Sequence, residues 1–285
     1  MKKTPAPKNP VGGKGTMVVF TDLDGTLIDD ATYSFDAARE ALAELRAREI
    51  PLVIVSSKTR AEIEPIRLQL QNRHPFIVEN GGAVFIPLQY FSFPLNDAVH
   101  RRNYHVVEMG TPYPLLRRAL KEIQQTVGRE LRGYGDMSIE EITVRTGLLP
   151  KNAQLSQQRE YDEPFIIEGQ ACPEERLIKA INERGLRYTK GDRFYHLMGP
   201  HDKGRAVRYL NRWYRLQAGH GHNALKTVGI GNSLNDLPML EAVDRPIIVQ
   251  QTDGSYEPGI TLPQLTRAPG PGPIGWNRAV LSLLQ

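Results

Sequence analysis

Short runs made only of apolar residues, each closed by a polar cluster, constrain this chain more than any other feature. Val18-Val19-Phe20 leads into Thr21-Asp22-Leu23-Asp24-Gly25-Thr26-Leu27, Leu52-Val53-Ile54-Val55 into Ser56-Ser57, and Phe76-Ile77-Val78 into Glu79-Asn80-Gly81-Gly82. A strand with no polar alternation is buried on both faces and needs helices on each side. Helical segments fit between these runs. Residues 35–48 follow a capping Ser34 and carry a stripe of Ala38, Ala41, Leu42 and Leu45, and residues 60–71 form a second helix. This β-α-β-α-β order predicts a parallel sheet with right-handed crossovers.

The pattern changes near residues 83–88 and returns near residue 199. Between them the segments are longer and more polar. A helix is expected over 113–127, strands over 139–144 and 165–167, a helix over 174–184, and a hairpin of 186–189 with 193–198 around Lys190-Gly191-Asp192. Then Asp202 caps a helix over 203–216, and 226–230 is a strand ending at Gly231-Asn232-Ser233-Leu234-Asn235-Asp236. A short helix through Met239, a strand over 246–249, a Pro/Gly loop over 268–275 and a helix over 276–284 follow. The expected fold is α/β: a parallel-sheet, Rossmann-like core (17–85 and 199–285) carrying an inserted α+β domain (86–198). Hinges are expected at 83–88 and 198–200.

The chain has 285 residues and a net charge of +4. Four of its 36 basic residues (Lys2, Lys3, Lys8 and Lys14) lie in the first sixteen, which hold no acid. The remainder balances the 32 acidic residues one for one. The basic balance therefore belongs to a Pro/Gly/Lys-rich tail, read as disordered, and not to a nucleic-acid-binding face. No run has the length of a membrane span, and the tail lacks the apolar stretch of a signal peptide. Cys172 is the single cysteine, so an intrachain disulfide is excluded. A cytoplasmic protein acting on a small molecule is the expectation.

In an open parallel sheet, ligands bind beyond the carboxyl ends of the strands. Four polar clusters fall there: Asp22/Asp24, Ser56/Ser57, Lys203 and the 232–236 stretch. Each has a chemical use. Asp22 can attack phosphorus and form an acyl phosphate, and Asp24 can protonate the leaving oxygen and then deprotonate water. An anion attacking an anion needs positive charge. Lys203 supplies some, and a hard cation on the oxygens of Asp22, Asp24, Asn232 and Asp236 supplies more, which favours Mg²⁺. The Ser56 hydroxyl can donate to a phosphoryl oxygen, and Thr26 helps set the loop. In the insert, Arg132, Arg159 and Arg193 can pair with a substrate carboxylate. Asp136, Glu160, Asp162 and Glu163 can accept hydroxyls.

Asp22-Leu23-Asp24-Gly25-Thr26-Leu27, together with Ser56, Lys203 and 231–236, resembles the four motifs of the haloacid dehalogenase superfamily of phosphohydrolases. The insert resembles the type IIB cap of its Cof-like branch. Ser56-Ser57-Lys58-Thr59, Glu79-Asn80-Gly81, Gly133-Tyr134-Gly135-Asp136-Met137, the 159–165 stretch, the 191–196 stretch and Gly275-Trp276-Asn277 resemble the mannosyl-3-phosphoglycerate phosphatase family. That resemblance implies Mg²⁺-dependent release of phosphate to leave mannosylglycerate, a compatible solute. It adds Ser57, Lys58 and Asn80 to the substrate-binding candidates. One departure stands out: the superfamily pattern usually has Asp where this chain has Asn232. Two alternatives stay open. One is a phosphatase for glucosyl-3-phosphoglycerate, sucrose phosphate or trehalose phosphate. The other is a phosphoester-binding protein with little turnover.

Overall fold

The computed structural model describes residues 17–169, 173–190, 194–219 and 225–285. The basic tail, Cys172, Arg193 and the turn at 191–192 lie outside the described residues. Along the chain run β1 (Met17–Thr21), α1 (Arg39–Ala47), β2 (Leu52–Val55), α2 (Arg60–Gln69), β3 (Phe76–Val78), β4 (Ala83–Pro87), β5 (Val99–Arg101) and β6 (Tyr104–Glu108). Then come α3 (Tyr113–Val127), β7 (Leu131–Gly133), α4 (Ile139–Thr146), α5 (Pro150–Ser156), β8 (Asp162–Ile167), α6 (Glu174–Asn182), β9 (Arg187–Lys190) and β10 (Tyr195–Met198). The chain closes with α7 (Lys203–Ala218), β11 (Lys226–Gly231), α8 (Leu237–Leu240), β12 (Arg245–Gln250), β13 (Thr266–Pro271) and α9 (Gly272–Leu283).

Nine strands form one sheet in the order β13-β12-β11-β1-β2-β3-β4-β6-β5. It is parallel from β13 to β3 and antiparallel beyond. The strand period of two sorts β1 between two cores. Val19 faces the layer built with α1 and α9, where Trp276 is fully buried. Val18 and Phe20 face the layer built with α7, where Trp213 and Tyr214 pack. A second sheet, β7-β8-β10-β9, is antiparallel and carries its own core. Leu116, Leu120, Ile123 and Val127 of α3, at helical spacing, pack there with Phe165, Leu177, Ile181 and Leu197. Among the described residues, no helix is long and apolar enough to cross a membrane.

Several expectations change. Residues 86–108 do not open the insert, because β4, β6 and β5 extend the large sheet. The 83–88 segment is therefore no hinge: Val84, Phe85 and Ile86 are buried mid-sheet. The chain leaves the large sheet after Glu108, leaves the four-stranded sheet after Met198 and re-enters the large sheet at Lys226. Residues 139–144 form a helix, not a strand. The β-branched run is overridden by a capping box, in which the Ser138 side chain accepts from Glu141 N and the Glu141 carboxylate accepts from Ser138 N. Residues 268–275 are not a loop. They hold the end of edge strand β13 and the first turn of α9, whose Pro273 sits where a helix tolerates proline.

Candidate active site

β1 and β11 pair in parallel, and Asp22 N–H donates to Ile230 O at 2.9 Å just past the strand end. Asp22 and the 232–236 loop thereby emerge side by side. Gly25 turns the first loop at φ +64°, and a Cβ there would sit 2.5 Å from Asn232 Nδ2. The Asn232 side chain therefore lies against the Asp22–Asp24 loop. Gly231 is required in the same way. Its hydrogen leaves room for Asp236, whose Cγ a Cβ would approach to 2.6 Å. Asp236 folds back so that Oδ2 accepts from Asn232 N at 2.9 Å and Ser233 N at 3.1 Å.

Lys203 closes the centre. Asp202 caps α7, its Oδ1 accepting from Arg205 N at 2.7 Å, and Lys203 begins the helix. Lys203 Nζ donates to Asp22 Oδ1 and to Asp236 Oδ1, both at 2.7 Å, and Lys203 and Asp236 are fully buried. Burial first, then the charges of Asp236 and Asp24, push the Asp22 carboxyl up to about 7, while Lys203 pulls it down. Burial works against the ammonium of Lys203, but the two carboxylates outweigh it and hold its pKa above the ordinary lysine value.

β2 ends at Ser56, which is fully buried, with Oγ accepting from Lys58 N at 3.2 Å. Lys58 turns toward the first motif. Its Nζ lies 3.0 Å from Asp24 Oδ1, as an ion pair without hydrogen-bond alignment, and 3.7 Å from Glu62 Oε1. Thr26 is buried, its N–H donating to Leu23 O at 3.0 Å and its hydroxyl unpartnered. Asn80 is drawn in from the end of β3, and Asn235 Nδ2 donates to its Oδ1 at 3.4 Å.

The insert residues are arranged differently. Arg159 is not an open fork. Its side chain is largely buried and donates to Ser57 O at 3.1 Å, Ser156 O at 2.8 Å and Asp162 Oδ2 at 3.3 Å. It belongs to the seam between the two sheets. Asp162 also meets His196 Nδ1 at 2.8 Å, and Glu160 pairs with Arg60 at 3.0 Å. Asp136 gives both oxygens to Arg117, which also reaches Glu163 at 2.7 Å. Arg132, partly exposed, pairs with Glu141 at 2.6 Å and Glu168 at 3.4 Å. The seam contacts of Arg159 and the pairing of Lys58 with Asp24 were not read from the sequence. The spacing Thr59-x-x-Glu62 is a signal for the capping box that orients Glu62, and it went unread, while nothing local showed where Lys58 Nζ would point.

Among the described residues, no three His, Cys, Asp or Glu side chains form a cluster ready to hold a metal. The donors at the strand ends are nonetheless all oxygens: Asp22, Asp24, Asp236 and the Asn232 amide. Asp22 and Asp236 are two carboxylates sharing the one ammonium of Lys203. Those two facts fit a hard divalent cation.

A family model described as haloacid dehalogenase-like hydrolase matches residues 19–93. A glucosyl-3-phosphoglycerate/mannosyl-3-phosphoglycerate phosphatase of Methanococcoides burtonii is 48% identical over 267 residues, covering 94% of this chain and 97% of the relative. A mannosyl-3-phosphoglycerate phosphatase of Pyrococcus horikoshii is 37% identical over 232 residues, covering 81% and 90%. A solved phosphatase of the haloalkanoate (HAD) superfamily from Bacteroides thetaiotaomicron aligns over 99% of this chain and 98% of its own, with a TM-score of 0.64 at 15% identity. With nearly the whole length shared at 48% identity, the chain belongs to the mannosyl-3-phosphoglycerate phosphatase family of haloacid dehalogenase-like hydrolases.

Proposed function

We propose that the chain removes the phosphate from glycosyl-3-phosphoglycerates, mannosyl and glucosyl alike, through an aspartyl-phosphate on Asp22. One observation carries the chemistry: a fully buried lysine held 2.7 Å from each of two carboxylates at adjacent strand ends. The breadth of sugar follows the 48%-identical relative, whose name carries both substrates.

Asp22 attacks phosphorus as the bond to the glycerate oxygen breaks, and Asp24 donates its proton to that oxygen. Asp24 then takes a proton from water, which attacks the phosphoryl group, frees phosphate and restores Asp22. Lys58 Nζ, 3.0 Å from Asp24 Oδ1, holds that carboxyl in place for both steps. Lys203 and Ser56 stabilise the phosphoryl oxygens. Mg²⁺, held by Asp22, Asp24, Asn232 and Asp236, would supply Lewis-acid charge to the same oxygens. Thr26, Ser57 and Asn80 are assigned to the phosphate end of the substrate. Arg132, with Arg193, is assigned to the glycerate carboxylate. Asp136 would leave Arg117 to accept a sugar hydroxyl. Arg159, held at Nε and Nη1 by Ser156, Ser57 and Asp162, would offer Nη2 to the glycerate carboxylate.

Phosphate release with and without Mg²⁺ tests this. The two glycosyl-3-phosphoglycerates are expected within about tenfold of each other in kcat/KM. Both should exceed sucrose 6-phosphate and trehalose 6-phosphate by about a hundredfold, since a neutral disaccharide leaves the cations for the carboxylate unmatched. Asp22→Asn should lower turnover by about a thousandfold or more. Equal rates on all four esters would refute the substrate assignment, and an active Asp22→Asn would refute the mechanism.

A further inference from the structure

The turn after β3 makes a further joint between the insert and the large-sheet unit, beside the Arg159–Ser57 and Arg60–Glu160 contacts. Glu79 is fully buried, yet its carboxylate serves the insert: Oε1 accepts from Glu160 N at 2.9 Å, and Oε2 accepts from Tyr161 N at 2.8 Å. Tyr161 fills a slot made by two glycines, for a Cβ on Gly82 or Gly110 would lie 2.5 or 2.7 Å from its own Cβ. The same turn faces the core on its other side. Glu79 N donates to Lys58 O at 3.0 Å, and Asn80 N donates to Ser56 O at 3.0 Å. The Asn80 side chain meets Asn235 of the 232–236 loop. Gly81 presses on the start of α7, where a Cβ would come within 2.2 Å of Asp202 O and 3.1 Å of Lys203 N.

The backbone here is left-handed, which Gly81 and Asn80 accept but Glu79 disfavours. Glu79, Asn80 and Gly81 have φ of +46°, +55° and +96°, and the first two are not glycine. Strain of this kind persists only where the surroundings over-determine it. The surroundings are the insert on one side and three catalytic clusters on the other. We infer that Glu79 is a positioning residue. Seating the insert's 160–161 amides on its carboxylate fixes the strained turn, and the turn fixes Lys203 and the 232–236 loop. Closure of the insert and assembly of the catalytic centre are then one event. The inference rests on the phosphatase reading for its kinetic arm alone.

The test uses the full chain, with kinetics on mannosyl-3-phosphoglycerate and amide hydrogen exchange at Glu160 and Tyr161. Glu79→Ala should raise exchange at those two amides at least about tenfold and lower kcat about 10- to 100-fold in the folded protein. Glu79→Gln keeps one acceptor oxygen but turns its NH2 toward the other amide, so it should recover kcat only in part, to between Glu79→Ala and the parent. Glu79→Asp, one methylene short, should behave like Glu79→Ala, and it carries the comparison if the alanine variant does not fold. A folded Glu79→Ala or Glu79→Asp with the parent's kcat overturns the coupling. Unchanged exchange at 160 and 161 overturns the seating. A parent chain that hydrolyses no phosphate ester refutes the phosphatase reading instead, and exchange still decides the seating.

Discussion

At Asn232 an amide lies where two carboxylates and a lysine already share charge. Its side chain abuts the Gly25 turn, and its N–H is committed to Asp236. Asn232→Asp adds a full negative charge beside the proposed cation. Even at an effective dielectric near 20, such a charge is worth a few kcal/mol before its own desolvation is subtracted. The Mg²⁺ concentration giving half-maximal turnover should fall about ten- to a hundredfold, read by titrating activity against the metal in both forms. An unmoved midpoint would place this side chain outside the coordination shell. At this scale the sequence was most legible where chemistry and strand end coincide, as at Asp22, Asp24 and Lys203. It was least legible for Arg159 and Lys58, whose long side chains found partners distant in sequence or in an unforeseen direction.

Helix α7 starts where it does because Asp202 caps it and Gly81 lets the β3 turn approach. Gly81→Ala puts a methyl into the Asp202 carbonyl and asks alanine to hold a φ of +96°. Overpacking and the unfavourable dihedral together should cost about 2–4 kcal/mol. A thermal melt would show it, and a variant melting with the parent would mean that the turn can yield. The elements themselves were legible in proportion to burial. β1, β2 and β3 are apolar throughout and announce themselves. Edge strand β5 is exposed along its length, so no hydrophobic signal marked it. Residues 139–144 misled in the other direction, because their β-branched side chains suggested a strand until the cap chemistry of Ser138 and Glu141 is weighed. The seam at Glu79 was hidden because its donors lie 81 and 82 residues further along.

For the whole molecule, His74 is one group through which acid acts on folding. Burial, and then the charge of Arg67, push its imidazole down to about 4, while Nδ1 meets the Tyr90 hydroxyl at 2.8 Å. The unfolded chain takes up that proton near pH 6.5 and the folded chain does not, so the unfolded state binds more protons and stability rises with pH. The contribution is complete above about pH 6.5 and is lost as pH falls from there toward 4, up to about 3 kcal/mol. His74→Gln should flatten that part of the melting-temperature profile, and equal slopes in the two proteins would count against it. A different consequence follows from strand order. Met17 pairs with Lys226, and the Trp276 indole donates to the Thr21 hydroxyl at 3.0 Å. During synthesis the first strand therefore leaves the ribosome long before its partner exists, and it waits with one flank open. The four-stranded unit, drawn from a continuous stretch, has all its partners in hand much earlier. Vectorial production thus favours an order in which the insert condenses first and the discontinuous sheet closes around it last.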